Sequence, residues 1–140
     1  MKRIRLLILL GAVALALPFG LSRASATGTS PTTAITIQPF AQYDDAGFVL
    51  HVGLYVRCTG GLGLVQVSVD QYPPQSPTPA HGLGSDDVVC DGKTHEAAVT
   101  IGGIKFDAGK AIAEATVIPP PGYGDSVTTK RVIAITVQRG

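Results

Sequence analysis

The sequence lacks the patterns that mark most enzymes. No serine stands in a Gly-x-Ser-x-Gly turn. The run Gly60-Gly61-Leu62-Gly63 is not followed by a helical pattern, so it indicates a turn and not a phosphate-binding loop. Glu96 and Glu114 are the remaining candidates for a glycosidase pair, but a small β-domain offers no evident sugar cleft. We therefore predict that the protein is not an enzyme.

Metal-ligand spacings are also missing. The three histidines, His51, His81 and His95, stand singly, without a second histidine at ligand spacing. Two acidic pairs, residues 44–45 and 86–87, lack the spacing of a dedicated calcium loop, and acidic turns end strands without an ion. We predict no metal and no cofactor.

Positive charge is scarce and is concentrated at the N-terminus. Without Lys2, Arg3, Arg5 and Arg23, the rest of the chain carries seven basic and ten acidic residues, a net charge of −3. Nucleic acids and anionic membranes require a concentrated positive patch, which is absent there. We exclude both as partners.

Only one long apolar run occurs, and it lies in the first 26 residues. Three basic residues precede twelve apolar ones, and Ala24-Ser25-Ala26 supplies small residues for cleavage. This order is typical of a secretory signal peptide, and the run is too short for a spanning helix. We predict a signal peptide over residues 1–26 and one domain over residues 27–140. The processed protein should be secreted, extracellular, monomeric and not inserted in a membrane.

The chain has two cysteines, Cys58 and Cys90. In an exported protein they are predicted to form a disulfide, the alternative being two buried free thiols. Closing this loop contributes about 3–4 kcal/mol by chain-entropy arguments. Because both cysteines end predicted strands, we expect the bridge near one edge or end of the domain. There it would fix one end of the proline-rich segment at residues 71–84.

No segment shows a sustained helical repeat, whereas apolar and polar residues alternate along the whole chain after residue 32. The alternation predicts an all-β, immunoglobulin-like sandwich of about seven antiparallel strands. The predicted strands cover residues 33–38, 48–57, 65–70, 88–90, 96–101, 111–117 and 133–137. Residues 59–61 and the Asp91-Gly92 pair are predicted to be turns between strands.

The inward residues of these strands define a predicted core. It consists of Phe48, Leu50, Val52, Leu54, Val65, Val67, Val69, Val99, Ile101 and Val117. This register places His51 and Tyr55 outside, because neighbouring residues of a strand point to opposite faces. Alternating alanines at 111, 113 and 115 leave space for larger neighbours such as Phe48 and Phe106. A filled core is favoured there over a ligand cavity.

A family resemblance rests on the order of these elements. A strand ends in Cys58, a Val-x-Val-x-Val strand follows over residues 65–69, and the run Cys90-Asp91-Gly92-Lys93-Thr94-His95 comes next. Phe106 and Gly109-Lys110-Ala111 then introduce the alanine strand. The order resembles small exported immunoglobulin-like proteins of actinobacteria whose function is not established. More remotely it is similar to neocarzinostatin-type apoproteins, sandwiches that carry a chromophore, although those have two disulfides.

Two functions remain open. The first is a secreted, non-catalytic binding or interaction module that uses its loops and one sheet face. The segment at residues 71–84, with Tyr72 and four prolines, is a candidate docking element, the alternative being a solvated crossover. Tyr123 is a second exposed aromatic. The other function is a carrier with an apolar cleft, lined by the alanine strand. The partner is accordingly an unidentified protein or small ligand.

Overall fold

The alternating segments form five long strands. The computed structural model describes residues 32–140, so the predicted signal peptide lies outside the described residues. No residue from 32 to 140 is helical, which confirms the all-β prediction. The strands are β1 (Ala34–Asp44), β2 (Val49–Gln71), β3 (Ala80–Gly102), β4 (Gly109–Ile118) and β5 (Val127–Gln138).

The predicted number of strands is wrong, and so is their uniformly antiparallel arrangement, because five strands form and β1 pairs with β5 in parallel. The alternating segments are nevertheless in place. Residues 48–57 and 65–70 both fall in β2, except Phe48, and residues 88–90 and 96–101 both fall in β3. The residues expected to be turns, 59–61 and Asp91-Gly92, lie inside these strands. They shift the register of the β2–β3 pair without ending it. Glycine-rich segments with positive φ serve bulges as well as turns.

Strand β2 is the centre of the fold. Its residues 49–57 pair with β1 on one side and β3 on the other, and its residues 64–70 pair with β4 and again with β3. Strand β5 lies between β4 and β1, so β1, β5, β4 and β2 form a closed ring. Strand β3 is added to this ring through β2 alone.

The disulfide lies at the irregularity that separates the two halves of β2. The sulfur atoms of Cys58 and Cys90 are 2.04 Å apart, and both residues are buried. Gly60 and Gly61 have φ angles of 109° and 113°, which other residues rarely adopt. A Cβ on Gly63 would lie 2.7 Å from the sulfur of Cys90, so only glycine fits beside the bridge. The predicted disulfide is therefore confirmed.

The bridge lies near one edge, as predicted, because it joins β2 to the outermost strand, β3. The prediction that it lies at strand ends and fixes the proline-rich segment is wrong. Both cysteines are inside long strands, where Arg57 still pairs with Thr94 and Leu62 with Val89. The bridge thus joins two neighbouring strands midway along their length and does not hold the proline-rich segment, which connects their far ends at Gln71 and Ala80.

The register of the core is confirmed. Val52 and Leu54 are fully buried, whereas His51 is exposed and the side chain of Tyr55 is 46 % exposed. The predicted core residues are all buried except Phe48, which is 49 % exposed. Phe48 has a φ of 52°, and this left-handed backbone conformation turns its side chain out of the pleat before β2 begins.

The small residues of the alanine strand, β4, belong to the core. Ala111, Ala113 and Ala115 are buried, as expected of small inward residues. Phe106 is buried and meets Tyr43 edge to face, with ring centroids 6.0 Å apart. Burial raises the pKa of Tyr43.

The loop between β2 and β3, residues 72–79, is shorter than predicted because residues 80–84 belong to β3. We call it the proline loop. Gln71, which is fully buried, donates from Nε2 to the carbonyl of Asp107 at 2.8 Å and accepts at Oε1 from the Asp107 N–H at 2.9 Å. The buried Ser76 hydroxyl lies within hydrogen-bond distance of two acceptors, the Thr78 carbonyl at 2.7 Å and Asp107 Oδ2 at 2.9 Å. The loop is therefore fastened at both its start and its middle to the segment before β4.

Replacing both cysteines, by Cys58→Ala and Cys90→Ala, is expected to lower the free energy of unfolding by about 3–4 kcal/mol, because the unfolded chain loses a cross-link. Urea unfolding checks this value. The strand signal in circular dichroism should persist, since the apolar core does not depend on the bridge. Loss of that signal in the variant, or an unchanged midpoint, would contradict the account.

Gln71→Ala is expected to cost about 2–4 kcal/mol, because it leaves the N–H and carbonyl of Asp107 without their buried partner. Gln75→Ala is the matched control: it removes only the long, exposed 3.3 Å bond from the Lys110 N–H. The control should change stability by about 0.5 kcal/mol or less. Equal effects of the two variants, measured by urea unfolding, would show that Gln71 does not anchor the loop.

Candidate functional site

The outer face of the β2–β4–β5 sheet carries three rows of cross-strand neighbours. In one row Ser68 lies opposite Glu114, whose carboxylate pairs with Lys130 at 3.1 Å. In the next, the hydroxyls of Thr116 and Thr128 are 2.7 Å apart. These two rows are polar and satisfied by their own cross-strand partners.

The third row is different, because its β4 and β5 members are apolar. Ile112 pairs with Asp70 on one side and with Val132 on the other. Val132 is 60 % exposed and Ile112 is 39 % exposed. This row lies at the end of the sheet where β2 enters the proline loop.

The proline loop turns the apolar row into a hollow. The hollow has a volume of about 180 Å³. Its apolar lining comes from Tyr72, Pro73, Ala111, Ile112 and Val132, and Asp70, Gln75 and Lys110 complete it. We call this feature the loop hollow.

Backbone hydrogen bonds fix the shape of the loop beside the hollow. The N–H groups of Gln75 and Ser76 both donate to the carbonyl of Tyr72, at 3.0 and 3.3 Å. Tyr72 is therefore part of a hydrogen-bonded turn, yet 53 % of its surface is exposed. A preformed aromatic side chain beside two exposed aliphatic ones is a suitable contact surface for a protein partner.

Charge at the loop hollow is small and of both signs. Asp70 Oδ1 is 2.6 Å from His81 Nδ1, so this carboxylate is already partnered. Lys110 also lines the hollow, and its backbone N–H donates a hydrogen bond to Gln75 Oε1. The hollow can therefore hold an apolar or aromatic group, and it offers no strong preference for an ion.

The structure does not bring the three histidines together. His51 Nδ1 lies 3.2 Å from the Thr100 hydroxyl, and His95 Nε2 lies 2.7 Å from Asp91 Oδ1. His81 is in β3 and not in a loop as predicted. Among residues 32–140, no group of three histidine, cysteine or acidic side chains is arranged to hold a metal ion.

Asp91 sits at the irregularity of β3 and helps to shape it. Its Oδ1 accepts the Lys93 N–H at 2.9 Å and contacts His95. The bond from the Lys93 N–H, and then His95, hold the pKa of Asp91 below its ordinary value. Aspartate side chains commonly accept a hydrogen bond from the backbone N–H two residues later where the chain turns sharply, so these contacts indicate a structural role.

The other acidic candidates are also separated. Glu114 is paired with Lys130 on the outer face of β4, whereas Glu96 Oε1 accepts a hydrogen bond from Gln38 Nε2 at 2.8 Å. Asp44 accepts the Ala46 N–H in the turn between β1 and β2. Tyr123 is exposed as expected, and its ring covers Gly60.

Sequence reasoning identified the loop and Tyr72 but missed Ile112 and Val132. The signal was present: both are aliphatic residues at outward positions of their strands, where polar residues are expected. Such a residue is common singly on a surface, and only the β4–β5 pairing shows that these two are neighbours.

Comparisons with solved structures return weak likenesses. A β-glucosidase of Streptomyces venezuelae, DesR, solved with D-glucose, is similar with 20% identity and a TM-score of 0.42, over 70% of this chain and 15% of that chain. The E. coli chaperone DraB is 17% identical with a TM-score of 0.36, over 78% of this chain and 56% of that one.

A third likeness is to the CsuC–CsuE chaperone–tip adhesion subunit pre-assembly complex of Acinetobacter baumannii Csu pili. It has 13% identity and a TM-score of 0.34, over 77% of this chain and 57% of that chain. The chain thus spans less than two thirds of each of these proteins.

Among residues 32–140, no helix is long and apolar enough to cross a membrane. No curated protein matches the chain. A family does match, over residues 31–124, which is more than half of the sequence. The resemblance to exported actinobacterial proteins and to neocarzinostatin-type apoproteins stays a prediction. The chain belongs to the family described as "Family of unknown function (DUF6299)".

Proposed function

We propose that this chain is a secreted, non-catalytic interaction module with an immunoglobulin-like fold, and that it binds a partner protein at the loop hollow. The observation that carries the proposal is the hollow itself. Tyr72, Ile112 and Val132 expose apolar surface together, beside a loop that buried hydrogen bonds hold in place. Preorganised apolar contacts of this kind favour association, because little conformational freedom is lost on binding.

Export is supported by two features. The first 26 residues have the order of a signal peptide. The Cys58–Cys90 disulfide is typical of proteins that work outside the reducing cytosol. Neither feature depends on the loop hollow, so export and binding are separate parts of the proposal.

The size of the hollow favours an interaction module over the alternative, a small-molecule carrier. At about 180 Å³ it is smaller than the roughly 300–1,000 Å³ of typical ligand pockets. It can accept one aromatic or aliphatic side chain. Of the three buried alanines of β4, only Ala111 lines it, whereas a carrier cleft along the alanine strand requires Ala113 and Ala115 as well.

The occupant is accordingly an apolar side chain of a protein. Five of the eight lining residues are apolar or aromatic, and the two charged ones, Asp70 and Lys110, have opposite charge. A single inserted side chain surrounded by flat contacts matches the way in which a few residues carry most of the affinity of protein interfaces.

Photo-crosslinking tests this site. With p-benzoylphenylalanine at position 132, irradiation in the culture fluid of the source organism is expected to give one dominant protein adduct. The same probe at position 55 is the matched control, since Tyr55 is similarly exposed on another face. Adding Ile112→Lys should remove the adduct at 132, because a charge then lies in the apolar lining.

Two results would contradict the proposal. Adducts of equal yield at 132 and 55, or none at 132, would mean that the loop hollow does not bind a protein. A stoichiometric small molecule released from the native protein on denaturation, and identified by mass spectrometry, would favour the carrier.

A further inference from the structure

Strand β3 has a free edge. It is 23 residues long and pairs with β2 along one side, and no other strand within residues 32–140 pairs with it. Each ring strand, by contrast, has a neighbour on both sides over at least part of its length. A free edge presents backbone N–H and carbonyl groups that an added strand can pair with.

The free edge is divided by the irregularity at Cys90–Gly92. Residues 80–90, which we call the first arm, pair with the second half of β2, and residues 94–102 pair with its first half. The two arms approach closely at Gly84, where a Cβ would lie 2.5 Å from the Thr100 carbonyl. Nearer to the irregularity they leave a hollow of about 340 Å³.

Carboxylates dominate this part of the edge. Asp86, Asp87 and Glu96 line the hollow between the arms, together with His95 and four apolar residues, and no lysine or arginine does. Asp86 and Asp87 form no ion pair with another residue of the described part of the chain; Asp86 only accepts the N–H of Asp87. Glu96 is bonded to the neutral amide of Gln38.

Acidic residues in the middle of an edge strand work against pairing with a second copy. Two first arms aligned antiparallel about their acidic centre would bring four carboxylates together. The same charge favours a basic partner, since opposite charges directly across a strand pair stabilise it. The backbone edge thus provides the binding groups, and the carboxylates select the charge of what binds.

We propose that the first arm of β3 binds an extended segment of a partner protein, which adds as a strand and carries a lysine or arginine opposite Asp87, next to Asp86. This site is a second surface beside the loop hollow, none of whose lining residues belongs to β3. The β3 edge selects a basic partner segment, whereas the loop hollow has no preference for a charge.

The outward residues of the first arm give the pattern of the bound segment. Leu83, Ser85, Asp87 and Val89 share one face, and Leu83 and Val89 are 68 % and 53 % exposed. Because strands alternate with period two, an antiparallel segment would place an apolar residue opposite Val89. A basic residue follows two positions later, opposite Asp87, and a second apolar residue follows four positions after that, opposite Leu83.

A phage-displayed library of random twelve-residue linear peptides, selected on the protein lacking residues 1–26, tests the proposal. We expect enriched peptides to carry a basic residue two positions from one apolar residue and four from another. A synthetic enriched peptide should protect amide hydrogens within residues 80–90 from exchange. The double substitution Asp86→Asn and Asp87→Asn should weaken its binding by about fivefold or more, with a smaller salt dependence.

The double substitution Asp45→Asn and Asp125→Asn is the matched control, because it changes the net charge equally at exposed positions outside β3. It should leave peptide affinity within about twofold. No enrichment, enriched peptides without a basic residue, or equal weakening by both double variants would overturn the proposal. Ile112→Lys separates the two sites: peptides whose binding it abolishes occupy the loop hollow, which would contradict the edge site while supporting the proposed function.

Discussion

The unbroken pairing of β2 with β3 through the disulfide-bridged irregularity is the constraint on which the rest of the structure depends. One strand pairs with β1 over its first half and with β4 over its second, so a single 23-residue strand serves both halves of the domain. The change of partner requires the register shifts at Thr59 and the glycine at position 63, where nothing larger fits beside Cys90. The bridge holds β3 on β2 at the one place where their ladder is irregular.

This arrangement also decides which surfaces remain available. Strands β1, β5, β4 and β2 close on one another, although residues 34–37 of β1 and 127–133 of β5 are paired on one side only. Strand β3 is left outside the ring, with one side free along its whole length. The same pairing sets the outer rows of β4 and β5, where Ile112 and Val132 meet beside the fastened proline loop. The apolar loop hollow and the acidic β3 edge therefore follow from one topology, and they differ in chemistry.

Local pattern was sufficient for the core and insufficient for the topology. The period-two alternation correctly placed Val52 and Leu54 inside and His51 outside, because a one-residue slip would reverse every side chain of the strand. It failed at Phe48, whose left-handed backbone interrupts the alternation. Residues 59–61 and Asp91-Gly92 have the composition of turns, but whether such residues end a strand depends on partners far away in the sequence, here Arg57 with Thr94 and Leu62 with Val89. The loop hollow could not be predicted for the same reason, because Ile112 and Val132 become neighbours only through the pairing of β4 with β5.

Amide hydrogen exchange of the protein without residues 1–26, followed by NMR along residues 80–90, tests most directly whether the first arm of β3 pairs with β2 along one side and is free along the other. The account predicts alternation: amides directed at β2 exchange slowly, whereas those directed away exchange at rates close to those of exposed backbone. Uniformly slow exchange would mean that another segment or a second copy covers the edge. Uniformly fast exchange would mean that the first arm does not pair with β2, and either result would contradict the account.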